Sequence, residues 1–215
     1  MLFETRKMML AVNDITVRFG DECVLERFSC EVARGEFVCI SGMSGCGKTS
    51  LLKALIGFVP IKEGVIKIGG CELNEKTCSI VRKNTLYLPQ ELSFPCEYVD
   101  EFVMQILRVQ KDVTVQKNNK ELYKNLHLLG LDKDILDKRL SEISGGQRQR
   151  VTLAALALLD KELWLLDEPT AALDGVSRDL VIDFLLARQR EGKTIVVVSH
   201  DACFASHCTK LIRLG

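Results

Sequence analysis

Residues 42–49 read Gly42-Met43-Ser44-Gly45-Cys46-Gly47-Lys48-Thr49 and match the pattern G-x-x-x-x-G-K-[ST]. They follow an apolar run at 37–40 that reads as a strand, and they open a run at 48–57 that reads as a helix. Glycines let the backbone curl closely around a phosphate, so that successive N–H groups and the helix N-terminus converge on it. We therefore predict a phosphate-binding loop in which Lys48 reaches the β- and γ-phosphates and the Thr49 hydroxyl binds Mg²⁺.

Runs rich in Val and Ile alternate along the chain with runs of helical spacing. The predicted strands cover 10–17, 37–40, 64–68, 85–88, 163–166 and 194–198. Runs such as 163–166 are apolar without alternation, which is typical of parallel strands buried on both faces. The predicted helices cover 48–57, 147–159 and 176–190. This alternation predicts an α/β fold with a mostly parallel sheet. Together with the phosphate-binding loop at 42–49, it predicts a P-loop NTPase.

The segment 91–140 has a different character, because it contains no convincing strand. It reads as helices around 98–109, 117–129 and 132–137. We therefore predict one domain over 1–215, with an α/β core at 1–90 and 141–215 and an inserted helical subdomain at 91–140.

The charges of the chain are balanced, with 29 Lys and Arg against 29 Asp and Glu. No net field attracts nucleic acid, so no nucleic-acid partner is expected. The apolar stretch 151–166 is interrupted by Asp160, Lys161 and Glu162, so we do not expect the chain to span a membrane. The nine cysteines form no C-x-x-C pair, which is typical of free thiols in a reducing cytoplasm.

A C-terminal group of His200, Cys203, His207 and Cys208 allows two interpretations. These side chains could be metal ligands. The alternative is a helix that carries them without a metal, and the spacing favours it because it matches no common zinc pattern.

The run Leu163-Trp164-Leu165-Leu166-Asp167-Glu168 places two carboxylates at the end of a predicted buried strand. Ligands of open α/β sheets bind at the carboxyl ends of strands. Asp167 is therefore placed to hold Mg²⁺ through water, as the second motif of a P-loop NTPase does. Glu168 is suited to accept a proton from an attacking water.

A third motif carries a family resemblance. Residues 143–150 read Ile143-Ser144-Gly145-Gly146-Gln147-Arg148-Gln149-Arg150 and look like the signature L-S-G-G-Q with Ile in first place. The phosphate loop is followed along the chain, in this order, by Gln90, this signature, Asp167-Glu168-Pro169-Thr170, Ala172-Leu173-Asp174 and His200. The chain thus resembles the ATP-binding subunits of ABC transporters over nearly its whole length. The resemblance implies an ABC-type fold with N-terminal antiparallel strands, and ATP and Mg²⁺ as cofactors.

The signature also has a physical interpretation. Ser144 precedes a predicted helix whose first N–H groups form an anion site, a second one far from the phosphate loop. Two such sites imply two chains facing each other, and by resemblance the signature of one chain closes on the γ-phosphate held by the other. The simpler alternative is an N-cap by Ser144 with Gln147 at the third helical position, and both can hold.

The resemblance implies further roles for single residues. Gln90 would contact Mg²⁺ and the attacking water, and His200 would contact the γ-phosphate and hold Glu168. Asp174 would help to set the facing site, or it could simply cap the helix that follows. Phe19 would stack on adenine, the alternative being a core position. Ser50 completes the ATP-binding residues of the phosphate loop. This chain has Thr49-Ser50 at the two positions where the family often has Ser-Thr.

The resulting prediction is the ATPase subunit of an ABC transporter, peripheral at the inner face of the cell membrane. It would dimerise with itself or a related cassette and act on a separate transmembrane permease subunit. The alternative is a non-transport ABC ATPase of cell division or envelope remodelling. Since only fifteen residues follow His200, we expect no appended regulatory domain, which leans towards export or lipid-type systems.

The surface that binds the membrane partner is predicted just after Gln90. Large apolar groups lie there within a short stretch: Leu92, Phe94, Pro95, Tyr98 and Phe102. Some must pack inward, because a helix there needs a buried stripe. The hypothesis is that two or three remain exposed as a groove for a short helix of the partner, and the alternative is that all are buried.

Overall fold

The computed structural model describes residues 7–91, 95–108 and 115–214, except for the side chains of 115–118 and 202. The chain divides into two compact units. The first comprises 1–87, 162–168 and 188–215, and the second comprises 88–161 and 169–187. The second unit thus contains the segment 91–140, and it also takes 141–161 and 169–187, which were predicted with the core.

The secondary structure follows the predicted alternation of strands and helices. The strands are β1 Met8–Phe19, β2 Glu22–Ala33, β3 Phe37–Ser41, β4 Glu63–Ile68, β5 Cys71–Glu72, β6 Thr85–Leu88, β7 Leu163–Asp167, β8 Thr194–Val198 and β9 Lys210–Arg213. The helices are α1 Lys48–Leu55, α2 Cys78–Asn84, α3 Val99–Arg108, α4 Val115–Leu128, α5 Gly145–Leu156, α6 Gly175–Arg190 and α7 Ala202–His207, with 3₁₀ turns at Lys133–Asp137 and Ala157–Leu159. Among these, β2, β5, β9 and α2 were not predicted from the sequence.

The first unit contains an antiparallel sheet of order β2-β1-β4-β5. The long strand β1 pairs with both β2 and β4. The pairing of β1 with β2 shifts register several times, and Asp14 and Arg27 have positive φ of 48° within these strands. The N-terminal antiparallel strands implied by the family resemblance are therefore confirmed.

The larger sheet of the first unit has the order β6-β7-β8-β3-β9, and β7, β8, β3 and β9 pair in parallel. The strands β3, β7 and β8 are buried along nearly their whole length, as their unbroken apolar sequences predict. Leu51 and Leu55 of α1 join Leu165 and Val196 in one buried cluster. Each such side chain stabilises the fold by about 1.5–3 kcal/mol. The predicted α/β fold with a parallel core is confirmed.

The second unit is built around α5, which packs against α3 and α4. Val103 and Ile106 of α3 and Leu126 of α4 are buried in this unit. The amide of Asn125 is also buried, and its Nδ2 donates to the carbonyl of Ala154 at 3.2 Å. This hydrogen bond fixes α4 against the end of α5.

Candidate functional site

The phosphate loop connects β3 to α1 in the first unit. Gly47, the N-cap of α1, has φ 94°, and a Cβ there would lie 2.8 Å from Val24 Cγ1. Only glycine tolerates that backbone and that close approach. Gly47 also has no side chain to cap the helix, so the first N–H groups of α1 remain for an anionic ligand. Met43, Ser44 and Gly45 are exposed on the loop, while Thr49 and Ser50 are half-buried.

Lys48 is buried to 9% exposure and turns its ammonium back towards the loop. Its Nζ donates to the carbonyl oxygens of Gly42 at 2.9 Å and Met43 at 2.8 Å. The Sγ of Cys46 lies 4.0 Å from the same nitrogen. The Lys48 ammonium is therefore held inside the loop, where a phosphate would bind.

Asp167 ends β7 and is buried to 1% exposure. Among the described residues, neither carboxylate oxygen has a hydrogen bond of normal geometry. The pKa of Asp167 is raised, first of all by burial and to a smaller extent by the charge of Glu168. The Thr49 hydroxyl and the charges of Lys53 and Lys48 lower it, but they do not cancel the effect of burial. A buried carboxylate with unpaired oxygens beside a hydroxyl is a donor set of the hard oxygen kind that Mg²⁺ prefers. Asp167 and Thr49 therefore fit the predicted metal site.

Glu168 follows Asp167 with a positive φ of 48° and turns its side chain towards the end of β8. Its Oε1 lies 2.9 Å from Nδ1 of His200, and its Oε2 accepts a hydrogen bond from Ser199 Oγ at 3.2 Å. The Glu168 side chain is 11% exposed, whereas the His200 ring is 72% exposed. The carboxylate is thus held by two partners while the imidazole can reach a ligand. This pairing matches the relation of Glu168 and His200 that the resemblance implies.

The signature lies in the second unit, at the start of α5. Ser144 Oγ accepts from the Gln147 N–H at 3.1 Å, and Gln147 Oε1 accepts from the Ser144 N–H at 3.0 Å. This is the capping box that was one of the two interpretations. A Cβ on Gly146 would lie 2.9 Å from the carbonyl oxygen of Ala172, whereas Gly145 is exposed. The exposed turn leaves the N-terminus of α5 open to an anion.

Asp174 and Gln90 also lie in the second unit. Asp174 caps α6, because its carboxylate accepts from the N–H of Ser177 at 2.9 Å and from the Ser177 hydroxyl at 3.0 Å. These bonds lower the pKa of Asp174. Gln90 is exposed after β6 and lines a cavity of about 390 Å³ together with Gly145 and Arg148.

Phe19, at the end of β1, is 49% exposed. This contradicts the core alternative for Phe19, and the ring is accessible for stacking on a base. In the C-terminal group, His207 and Cys208 contact backbone carbonyls: Nδ1 of His207 lies 2.8 Å from the carbonyl oxygen of Cys203, and Sγ of Cys208 lies 3.4 Å from that of Ala205. Within the described part of the chain, no group of three His, Cys, Asp or Glu is arranged to hold a metal ion.

Two residues near the site were not singled out from the sequence. Ser199 binds Glu168, and its position directly before His200 was the available signal. Tyr87 of β6 has a buried hydroxyl close enough to Asp167 for that carboxylate to affect its pKa. No motif marks Tyr87, because its relation to Asp167 exists only once β6 and β7 lie side by side.

The fold and these residues define the class of ATP-binding cassettes. The chain belongs to the ABC transporter family, which matches residues 25–171. Two solved structures support this with a TM-score of 0.85 over 96% of this chain and 94% of the other. One, at 26% identity, is the dimeric bacterial ABC transporter cassette MJ0796. The other, at 25% identity, is its dimeric post-hydrolysis state bound to ADP and Pi. ATP hydrolysis is therefore the reaction of this class of site.

Curated relatives include the spermidine/putrescine import ATP-binding protein PotA of Bacteroides fragilis, 34% identical over 202 residues. The alignment covers 94% of this chain and 43% of PotA, so the chain spans less than half of that relative. The glutamine transport ATP-binding protein GlnQ of Bacillus subtilis is 33% identical, with 92% of this chain and 82% of GlnQ covered. The glutamate/aspartate import ATP-binding protein GltL of Escherichia coli is 31% identical. Both PotA and GltL are named as import proteins.

Proposed function

We propose that this chain is the ATP-hydrolysing subunit of an ABC transporter, which closes as a dimer around ATP and drives a separate membrane subunit. The observation that carries this proposal is the grouping of Lys48, Asp167, Glu168 and His200 in the first unit. These residues supply a cation for phosphate, a metal ligand, a base and an exposed imidazole, which together suffice for attack of water on a γ-phosphate.

The chain's own residues divide the work as follows. The loop N–H groups and Lys48 bind and orient the phosphates. Asp167 and Thr49 would hold Mg²⁺, which when bound neutralises charge on the β- and γ-phosphates. Gln90 is proposed as a further ligand of the metal and of the attacking water.

Glu168 is proposed to accept the proton of the attacking water. The proton passes to a carboxylate oxygen, and the nearby His200 and Ser199 keep that carboxylate in one orientation. Because the His200 ring is largely exposed, it can bind the γ-phosphate while it holds Glu168. Phe19 would stack on the adenine.

Dimerisation is proposed because the chain has two anion sites, the phosphate loop in the first unit and the N-terminus of α5 in the second. A head-to-tail dimer brings the loop of one chain opposite Ser144, Gly145 and Gly146 of the other, with Asp174 beside the facing site. The dimeric relative supports the association of two chains. Each ATP then contacts both chains and contributes to their association.

The proposed membrane partner is a transmembrane permease subunit at the inner face of the cell membrane. The named relatives are ATP-binding proteins of import and transport systems, which supports this. Within the described residues, none of the helices is long and apolar enough to cross a bilayer. The relatives' substrates differ, so no substrate follows from their names.

The proposed contact with this partner remains the region after Gln90. Pro95 is exposed and Tyr98 half-buried, while Phe102 is buried at 1% exposure. Leu92 and Phe94 lie outside the described residues. The mixture of one inward and two accessible apolar groups agrees with a groove rather than with complete burial.

Light scattering tests the proposed dimer. The Glu168→Gln variant should be mainly monomeric alone and dimeric with ATP and Mg²⁺, because hydrolysis no longer releases the nucleotide that links the two chains. The matched control is the same variant with ADP, which lacks the γ-phosphate and should remain monomeric. A dimer of equal abundance with ATP, with ADP and without nucleotide would contradict the proposal.

A further inference from the structure

The buried hydroxyl of Tyr87 has no part in the proposed ATPase mechanism. Tyr87 is the third residue of β6, which lies beside β7 in the parallel sheet, and β7 ends at Asp167. The hydroxyl of Tyr87 is buried and has no hydrogen-bond partner among the described residues. Nearly all buried hydroxyls in proteins are hydrogen-bonded, so this one calls for a partner.

The ring of Tyr87 is held in place by its neighbours. Phe58 packs against it edge to face, with ring centroids 6.4 Å apart and an interplanar angle of 84°. The guanidinium of Arg82 in turn lies 5.2 Å from the centroid of the Phe58 ring. The stack of Arg82, Phe58 and Tyr87 therefore restricts the Tyr87 ring, and with it the position of the hydroxyl.

Tyr87 packs against the buried cluster that contains Leu163 and Leu165 of β7. Asp167 follows these two residues at the same two-residue spacing, so its carboxylate leaves β7 on the face that Tyr87 packs against. Burial, and then the negative charge of Asp167, raise the pKa of Tyr87. Both carboxylate oxygens of Asp167 are buried and unpaired as well. Two buried polar groups on neighbouring strands thus lie near one another without bonding to each other, an arrangement that suits a bridging water.

We propose that Tyr87 is a positioning residue of the metal site, whose hydroxyl oxygen accepts a hydrogen bond from a Mg²⁺-bound water that also donates to Asp167. The inference rests on the proposed function, since it places Mg²⁺ at Asp167 and Thr49. Protein-bound Mg²⁺ usually keeps several waters, and a water on a divalent cation is a strong donor. A hydroxyl that accepts a hydrogen bond from such a water would help to keep the hydrated ion beside the phosphates.

The test compares metal affinity with nucleotide affinity in the Tyr87→Phe variant, which keeps the ring and removes the hydroxyl. The probes are Mn²⁺, followed by electron paramagnetic resonance, and the non-hydrolysable analogue AMP-PNP. Losing one net hydrogen bond should weaken Mn²⁺ binding to the protein–AMP-PNP complex by about 3- to 10-fold. Binding of AMP-PNP in EDTA should remain as in the wild type. Melting without ligand should be unchanged or slightly higher, because an unpaired buried hydroxyl has been removed.

Two further variants complete the design. Tyr123→Phe removes a hydroxyl from an exposed tyrosine of the second unit and should bind Mn²⁺ like the wild type. Phe58→Leu keeps the Tyr87 hydroxyl but removes the ring that fixes it, so Mn²⁺ affinity should fall in the same direction. This variant also tests the inference if Tyr87→Phe fails to fold.

The outcomes separate the inference from the proposed function. Wild-type Mn²⁺ affinity in a folded Tyr87→Phe would overturn the role of Tyr87 alone. An equal loss of AMP-PNP binding with and without metal would also overturn it, because it would show a general structural effect. A wild-type protein that binds no Mn²⁺ with AMP-PNP would overturn the proposed function and the inference together.

Discussion

The Glu168→Gln exchange gives the most direct test of the proposed chemistry. Glutamine has nearly the shape of glutamate, so its side-chain oxygen can still accept a hydrogen bond from Ser199. It can no longer accept a proton from water. The exchange therefore removes the base and leaves the surrounding packing in place.

The size of the effect follows from the role of a positioned base. General-base catalysis contributes about 10²- to 10⁴-fold to a rate. This corresponds to about 3–5 kcal/mol of activation free energy. ATP affinity should be retained within a few-fold, because the exchange leaves Lys48 and the phosphate loop unchanged.

The assay is phosphate release at saturating ATP and Mg²⁺, together with ATP binding at equilibrium. Glu162→Gln is a matched control, because Glu162 precedes the same strand, β7, that Glu168 follows. Glu162 is 64% exposed and pairs with Arg34 at 2.7 Å. Exposed pairs contribute about 0–1 kcal/mol to stability, so turnover in this control should stay near the wild-type value. Near-normal turnover in purified Glu168→Gln would refute Glu168 as the base.

Two further predictions concern thiols and the signature. Alkylation at pH 8 should modify Cys46 and inactivate the enzyme, and bound ATP should protect it; mass spectrometry showing Cys46 unmodified in an inactivated sample would contradict this. Cys39 should stay unmodified in the same sample, because burial raises its pKa to about 12 and the thiolate is the reactive form. Ser144→Ala should lower stability by about 1 kcal/mol through loss of the helix cap and should also weaken ATP-dependent dimerisation. Thermal melting and light scattering measure the two effects, and a variant that melts and dimerises like the wild type would refute both.

The parallel core could be predicted because its strands are buried on both faces and read as unbroken apolar runs. The predicted 85–88 and 194–198 coincide with β6 and β8. β2 escaped prediction because its buried positions do not alternate regularly: Leu25 is buried while Val24 and Phe28 are only half-buried. Arg27 at φ 48° and the register shifts against β1 explain this, since a bulge moves later side chains to the other face. β9 is short and mostly exposed, so it carries little apolar signal.

Some residues of the candidate site could likewise be predicted from the sequence, and others could not. The sequence alone indicates Lys48, Asp167 and Glu168, because each lies in a short motif directly beside a predicted strand or helix. Ser199 and Tyr87 could not, since each acquires its relation to a carboxylate only when separate strands become neighbours in the sheet. The positive φ of Glu168 was also beyond reach, because nothing in Asp167-Glu168-Pro169 requires it.

The bonds from the Lys48 ammonium to the carbonyls of Gly42 and Met43 have a consequence for how tightly nucleotide binds. A phosphate that engages this ammonium competes with two oxygen acceptors of the loop itself. Affinity for ATP then measures an exchange of partners, and only the difference between the two sets of bonds contributes to it. A loop that gripped its lysine more firmly would bind nucleotide more weakly. Any change that weakens the bonds from Lys48 to these two carbonyls should therefore strengthen nucleotide binding, although the ammonium that contacts the phosphate is the same.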